Sequence, residues 1–294
     1  MMLQYVILDQ LNTLAMKKIL FPIDFSDNSL NAFRYALHLA DNIKAEIITL
    51  HVYDGAEGFY QEYYDFLIEN YTINEWNQFE NYKSEVPKLR AIAEENGLNH
   101  VKLSHMLVRG VPFSMILDTA ESEGVEYIVM GTKGATGLKE AFLGSLTEQI
   151  INESKVMVLA VPENCYFEPI KNILFLSHFF KSEVAILKKL YVLAEHFHAK
   201  IDVLEVKEQH EKKENETIRE WKAQFPKSGM HFFMLTSNDY EGTVLDFIRL
   251  NKEHLVVMPR KHKSCLERLF MYSLSRQLAF HSTIPLLTIP DHTS

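Results

Sequence analysis

The chain has 294 residues, 47% of them hydrophobic and 23% charged, with a formal net charge of −9. This is an ordinary globular composition, large enough for one big or two medium domains. The acidic balance argues against general nucleic-acid binding, which needs a surplus of Lys and Arg, and no run of roughly 18 or more apolar residues offers a membrane span.

Residues 1–16, "MMLQYVILDQLNTLAM", lack a basic n-region and a small-residue cleavage pattern. They read as an N-terminal extension, with Met16 as an alternative start. "KILFPI" is then a short apolar run, expected to be a buried strand. Ser26 offers an N-cap, and Asp27 puts a carboxylate in the first turn, where the helix dipole favours it. Leu30, Phe33, Leu37 and Ala40 follow at helical spacing. "AEIITLHV" is the next strand. A segment rich in Tyr, Phe and Trp comes after it, over 55–82. It reads either as a lid or partner surface, or as a longer helix with an aromatic core face. The strand "NHVKLSHMLVRG", the helix "PFSMILDTAESEG", the strand "EYIVMG", a helix over 140–153 and the strand "KVMVLAVP" complete the series.

The series is then written again. Residues 17–52 align without a gap to 171–206 at an offset of 154, so that Ile19, Phe21, Phe25 and Ala40 meet Ile173, Phe175, Phe179 and Ala194. Further on, Asp118, Met130, Ser145 and Pro162 meet Asp246, Met258, Ser273 and Pro290 at an offset of 128. The first copy therefore carries 26 extra residues between Val52 and Asp118. In the second copy the matching stretch, "KEQHEKKENETIREWKAQFPKSG", is charged and expected to be a solvated amphipathic helix. Alternating strands and helices imply a parallel sheet covered on both faces. The expected fold class is α/β: two tandem doubly wound domains, each a five-stranded, mainly parallel sheet flanked by helices. The expected limits are 17–164 and 168–291, with a seam near "VPENCYFEP".

Four of the chain's 11 glycines lie in "GTKGATGLKEAFLGS", residues 131–145, directly after the strand "YIVM". In open α/β sheets ligands bind beyond the carboxyl ends of the strands. Glycines there allow close backbone approach, and consecutive amides can form an anion nest. Gly144 and Ser145 fall near the start of the next helix, whose amides and dipole suit phosphate. A merely flexible turn is the competing reading. The stretch is neither GxxxxGK[ST] nor GxGxxG.

Written as G-x2-G-x9-G-S, and preceded by "ILFPIDFS", the pattern resembles the universal stress protein family over both copies. The resemblance implies an adenine nucleotide alpha hydrolase-like, flavodoxin-like fold and the ATP-binding branch, with Mg2+ as a possible companion of the nucleotide. By position, it implies that Asp24, beside Pro22, meets the adenosine part and that the Val52 backbone meets adenine. Met130 borders the base and Gly131 the ribose. Gly134, Gly144, Ser145 and the Leu146 amide cradle phosphates, with Lys133 beside them. In the second copy Asp24, Gly131, Gly134, Gly137 and Gly144 become His178, Pro259, His262, Cys265 and Tyr272. That copy is expected not to bind ATP in this way. Its basic "RKHK" (260–263) reads as a solvated loop or a site for another anion.

The family's last strands pair between protomers, so the resemblance implies an internal pseudo-dimer here. A homodimer of tandem chains and an unknown protein partner stay open. Three functions follow: a nucleotide-responsive regulatory or stress-response protein, a slow ATPase or nucleotidyl- or phosphoryl-transfer enzyme, or a scaffold independent of nucleotide. No general base is tied to the motif, and neither catalytic nor metal-binding residues are assigned. His196 and His198, two apart on a helix, face different ways and make a poor metal pair. Cys165 and Cys265 make no CxxC and no zinc spacing, so a reduced cytoplasmic setting is expected.

Overall fold

A computed structural model describes residues 16–53, 64–132, 144–208, 216–225, 229–260 and 284–290, with backbone alone over 64–75. The extension over 1–15 and part of the aromatic segment, 54–63, lie outside the described residues. The first half runs β1 (Lys17–Pro22), α1 (Asp27–Ile43), β2 (Ala45–Tyr53), α2 (Tyr64–Glu95), β3 (Leu103–Arg109), α3 (Pro112–Ser122), β4 (Tyr127–Gly131), α4 (Ser145–Glu153) and β5 (Met157–Val161). The second runs β6 (Asn172–Leu176), a 3-10 turn (Lys181–Glu183), α5 (Val184–Phe197), β7 (Lys200–Lys207), α6 (Glu216–Gln224), β8 (Met230–Thr236), α7 (Tyr240–Asn251), β9 (Leu255–Pro259) and β10 (Leu286–Ile289).

Burial on both faces explains the continuous apolar strands. In β1, Ile19 and Phe21 pack on one side of the sheet and Leu20 on the other, as the two-residue period dictates. Helices α1, α2, α5 and α6 cover the first face, and α3, α4 and α7 cover the second. Ser26 does cap α1, its side chain accepting from the Ser29 amide at 3.3 Å. The helix stops at Lys44, whose φ of 56° is left-handed. His198, the equivalent residue by the 154 offset, ends α5 with φ 53°. Phe25 and Phe179, likewise equivalent, share φ values of 59° and 52°. The repeat thus extends to backbone conformations that L residues rarely adopt.

All ten strands join one sheet in the order β3-β2-β1-β4-β5-β10-β9-β6-β7-β8. Pairing is parallel within each half and antiparallel between β5 and β10. At this junction Leu159 lies opposite Leu287, its own equivalent at the 128 offset, while Val158 meets Thr288 and Ala160 meets Leu286. The junction is therefore self-complementary, as an isologous contact must be. The connecting chain crosses α1. Asn31 Nδ2 donates to the Cys165 carbonyl at 2.8 Å, Tyr35 Oη lies 3.0 Å from Cys165 Sγ and donates to the Tyr166 carbonyl at 2.9 Å, and His38 stacks on Phe167 at 3.7 Å.

Strand register refines the alignment of the copies. Leu103 pairs with Ile47, as Met230 pairs with Ile201, an offset of 127 rather than 128. The extra chain thus falls between β2 and β3, and one residue is regained before the next helix. Most of it lengthens α2, which has 32 residues against nine in α6. The aromatic face of α2 is only partly core. Tyr82 is buried, but Trp76 and Phe79 are 63% and 46% exposed, because this part of the helix has no layer above it among the described residues. In α6 the charged stretch is amphipathic, with Trp221 buried against Phe179.

Candidate functional site

In the first half β1 lies between β2 and β4, so successive crossovers leave β1 in opposite directions. The carboxyl ends on either side of that switch point frame the site. Pro22 ends β1 opposite Leu50, and the Leu50 carbonyl accepts from the Ile23 amide at 2.9 Å. Two residues on, the backbone groups of Val52 face the same way, past the end of β1. Asp24 is exposed just beyond the strand. Its Oδ1 accepts from the Ser26 amide at 3.0 Å and the Ser26 hydroxyl at 2.6 Å, which holds the turn into α1. The left-handed φ of Phe25 turns its ring against His51 and Tyr82, with ring centres 5.5 and 5.9 Å away. His51 Nδ1 donates to the Ile23 carbonyl at 2.7 Å, which fixes the tautomer. Burial pushes the Tyr82 phenol up, so it stays neutral.

Across the switch point, Met130 is buried and Gly131 is the last residue of β4. A Cβ on Gly131 would sit 2.9 Å from Asn28 Nδ2 and 3.2 Å from Asn28 Cγ. A side chain there would have to displace the Asn28 amide, because the start of α1 packs against the strand end. The chain returns at Gly144, whose amide donates to the Thr132 carbonyl at 2.5 Å. Gly144 is the N-cap of α4 with φ −66°, and the first bond inside the helix runs from the Glu148 amide to the Gly144 carbonyl. The amides of Ser145 and Leu146 therefore have no acceptor within the helix and point out of its positive end. Thr147, buried, donates its hydroxyl to the Gly131 carbonyl at 3.0 Å.

Pro22, Asp24, Val52, Met130, Gly131, Gly144, Ser145 and Leu146 are thus gathered around the carboxyl ends of β1, β2 and β4. Lys133 and Gly134 lie outside the described residues. Sequence reasoning missed Asn28, Phe25, His51, Tyr82 and Thr147. Only Phe25 left a signal, as a residue kept in both copies.

At the equivalent corner of the second half the described side chains bond to their own loop. Glu183, buried, accepts from the Ser177 hydroxyl at 2.5 Å and the His178 amide at 3.3 Å. Pro259 replaces Gly131 and is buried at the end of β9, where it has no amide to offer. Arg260 turns away to the Ser154 carbonyl at the end of α4. His262, Cys265 and Tyr272 lie outside the described residues.

A family model described as the universal stress protein family matches residues 16–162. The chain belongs to the universal stress protein family. Universal stress protein MJ0577 of Methanocaldococcus jannaschii is 35% identical over 152 residues, 49% of this chain and 94% of that protein. Universal stress protein YxiE of Bacillus subtilis is 33% identical over 146 residues, 49% of this chain and 97% of its own. A crystal structure of a universal stress protein from Archaeoglobus fulgidus covers 93% of this chain and 96% of its own at a TM-score of 0.66 and 18% identity. That likeness extends the universal stress protein fold over both halves. Among the described residues, no helix is long and apolar enough to cross a membrane.

Proposed function

We propose that this universal stress protein binds ATP in its first half alone and acts as a cytoplasmic, nucleotide-responsive stress regulator. One observation carries the reading: the Gly144-capped start of α4 stands beside the Gly131 end of β4, across the switch point from Asp24. Adenine lies between the Val52 backbone and Met130. Asp24 accepts from the ribose hydroxyls, and Gly131 leaves room for the sugar. The phosphates meet the Ser145 and Leu146 amides and the Ser145 hydroxyl at the positive end of α4. The family pattern adds Gly134, Lys133 beside it reaches the phosphates, and Mg2+ enters with the nucleotide. The halves are domains with limits 17–164 and 168–291, paired as an internal pseudo-dimer. Glu183 and Pro259 support a second domain that has given up the pocket.

The test is calorimetric titration with ATP of the wild type and of Gly144→Tyr, which installs the residue of the second copy. A φ of −66° suits any L residue, so the variant keeps its fold. The tyrosine side chain occupies space in front of the Ser145 and Leu146 amides, and keeping phosphate from them weakens ATP binding by roughly tenfold or more. No affinity in the wild type at millimolar nucleotide overturns the proposal.

A further inference from the structure

Eleven residues separate Thr132 from Gly144 in the sequence, and the chain is fixed on both sides of them. The Gly144 amide reaches the Thr132 carbonyl at 2.5 Å, and the Thr147 hydroxyl reaches the Gly131 carbonyl at 3.0 Å. Thr132 is itself anchored, its amide donating to the Val161 carbonyl of β5 at 3.0 Å. Asn28, buried at the start of α1, packs on Gly131 from the other side. Thr147 is 3% exposed and lies in the first turn of α4, one residue after the amides assigned to phosphate. A valine there would have nearly the same shape but no hydroxyl, leaving the Gly131 carbonyl without this donor.

We propose that Thr147 is a positioning residue for phosphate: it ties the positive end of α4 to the end of β4, with Asn28 as the backstop behind Gly131. The inference rests on the ATP reading above for its ligand, but not for its geometry. Thr147 touches no part of the nucleotide. It sets where the Gly144, Ser145 and Leu146 backbone stands, so its loss acts on phosphate recognition and leaves adenosine recognition in place. Preorganised donors lose effect steeply when their support is loosened.

The experiment compares wild type, Thr147→Val and Thr147→Ser by calorimetric titration with ATP and, separately, with adenosine. Amide hydrogen exchange at Gly144 is measured in the nucleotide-free protein. Thr147→Val is expected to bind ATP about tenfold more weakly, the effect of one hydrogen bond to a constrained donor set. Its adenosine affinity stays within about twofold of wild type, and Thr147→Ser, which keeps the donor, restores ATP binding. Gly144 exchanges about tenfold faster in Thr147→Val. Unchanged ATP affinity in Thr147→Val overturns the proposal, as does a parallel fall in ATP and adenosine affinity. If the wild type binds no ATP, the function proposed above fails by itself. Gly144 exchange then decides the clamp, acceleration supporting it and an unchanged rate overturning it.

Discussion

Glu253, between α7 and β9, is 5% exposed and lies beside Asp202. Burial first, and the neighbouring Asp202 second, push it up from 4.5 to about 9. His231 Nδ1 lies 2.8 Å from Asp202 Oδ1. In the first half the equivalent positions are Val125 and Ile48, both plain core residues. Folding therefore makes Glu253 take up a proton between about pH 4.5 and 9. Its favourable contribution is full below about 4.5 and is lost as pH rises through about 9. Stability should fall from pH 6 to pH 9, and Glu253→Gln should flatten that slope. At pH 9 the variant gains on the order of 2–3 kcal/mol after discounting for screening, read from urea unfolding at several pH values. Cys165 behaves in the opposite sense to a reactive thiol. Burial pushes it up to about 11, so little thiolate exists at pH 8. Slow alkylation of Cys165 in the native chain is expected, read by mass spectrometry of the peptide that carries it. Tyr35→Phe, which removes the Tyr35 hydroxyl from Cys165 and Tyr166, should lower stability by about 1 kcal/mol, read from urea unfolding.

At the scale of elements, what the sequence disclosed and what it hid divide along a physical line. Buried strands such as β1 and β4 announce themselves because both faces demand apolar residues. The caps of α1 were legible because Ser26 and Asp27 act on amides within a few residues of themselves. The glycines at 131 and 144 were legible as a departure between otherwise matching copies. Asn28 and Thr147 were not, since each acts on Gly131 from a different element, and no local pattern records a contact across 103 or 16 residues of chain. The left-handed Phe25 was hidden for another reason: nothing in a phenylalanine announces a positive φ. In α2 the period of aromatic residues could not separate Tyr82, which turns into the core, from Trp76 and Phe79, which do not.

The whole molecule is governed by the β5–β10 junction. Leu159 and Leu287 are 5% and 2% exposed and face each other as equivalents. Leu159→Ala and Leu287→Ala should therefore have similar effects, about 2–5 kcal/mol each. With both apolar layers running across the junction, calorimetry should show a single transition that either variant shifts as a unit. The same junction makes the arrangement insensitive to dilution. A pairing between separate chains has a dissociation constant and is lost when protein is scarce. Here β5 and β10 belong to one chain, the ten residues 162–171 joining the end of β5 to the start of β6, and a tether of that length between the halves holds them at an effective concentration of order millimolar. The half whose glycines were replaced is thus present beside its neighbour at any expression level, and the ten-stranded sheet never has to wait for a second molecule.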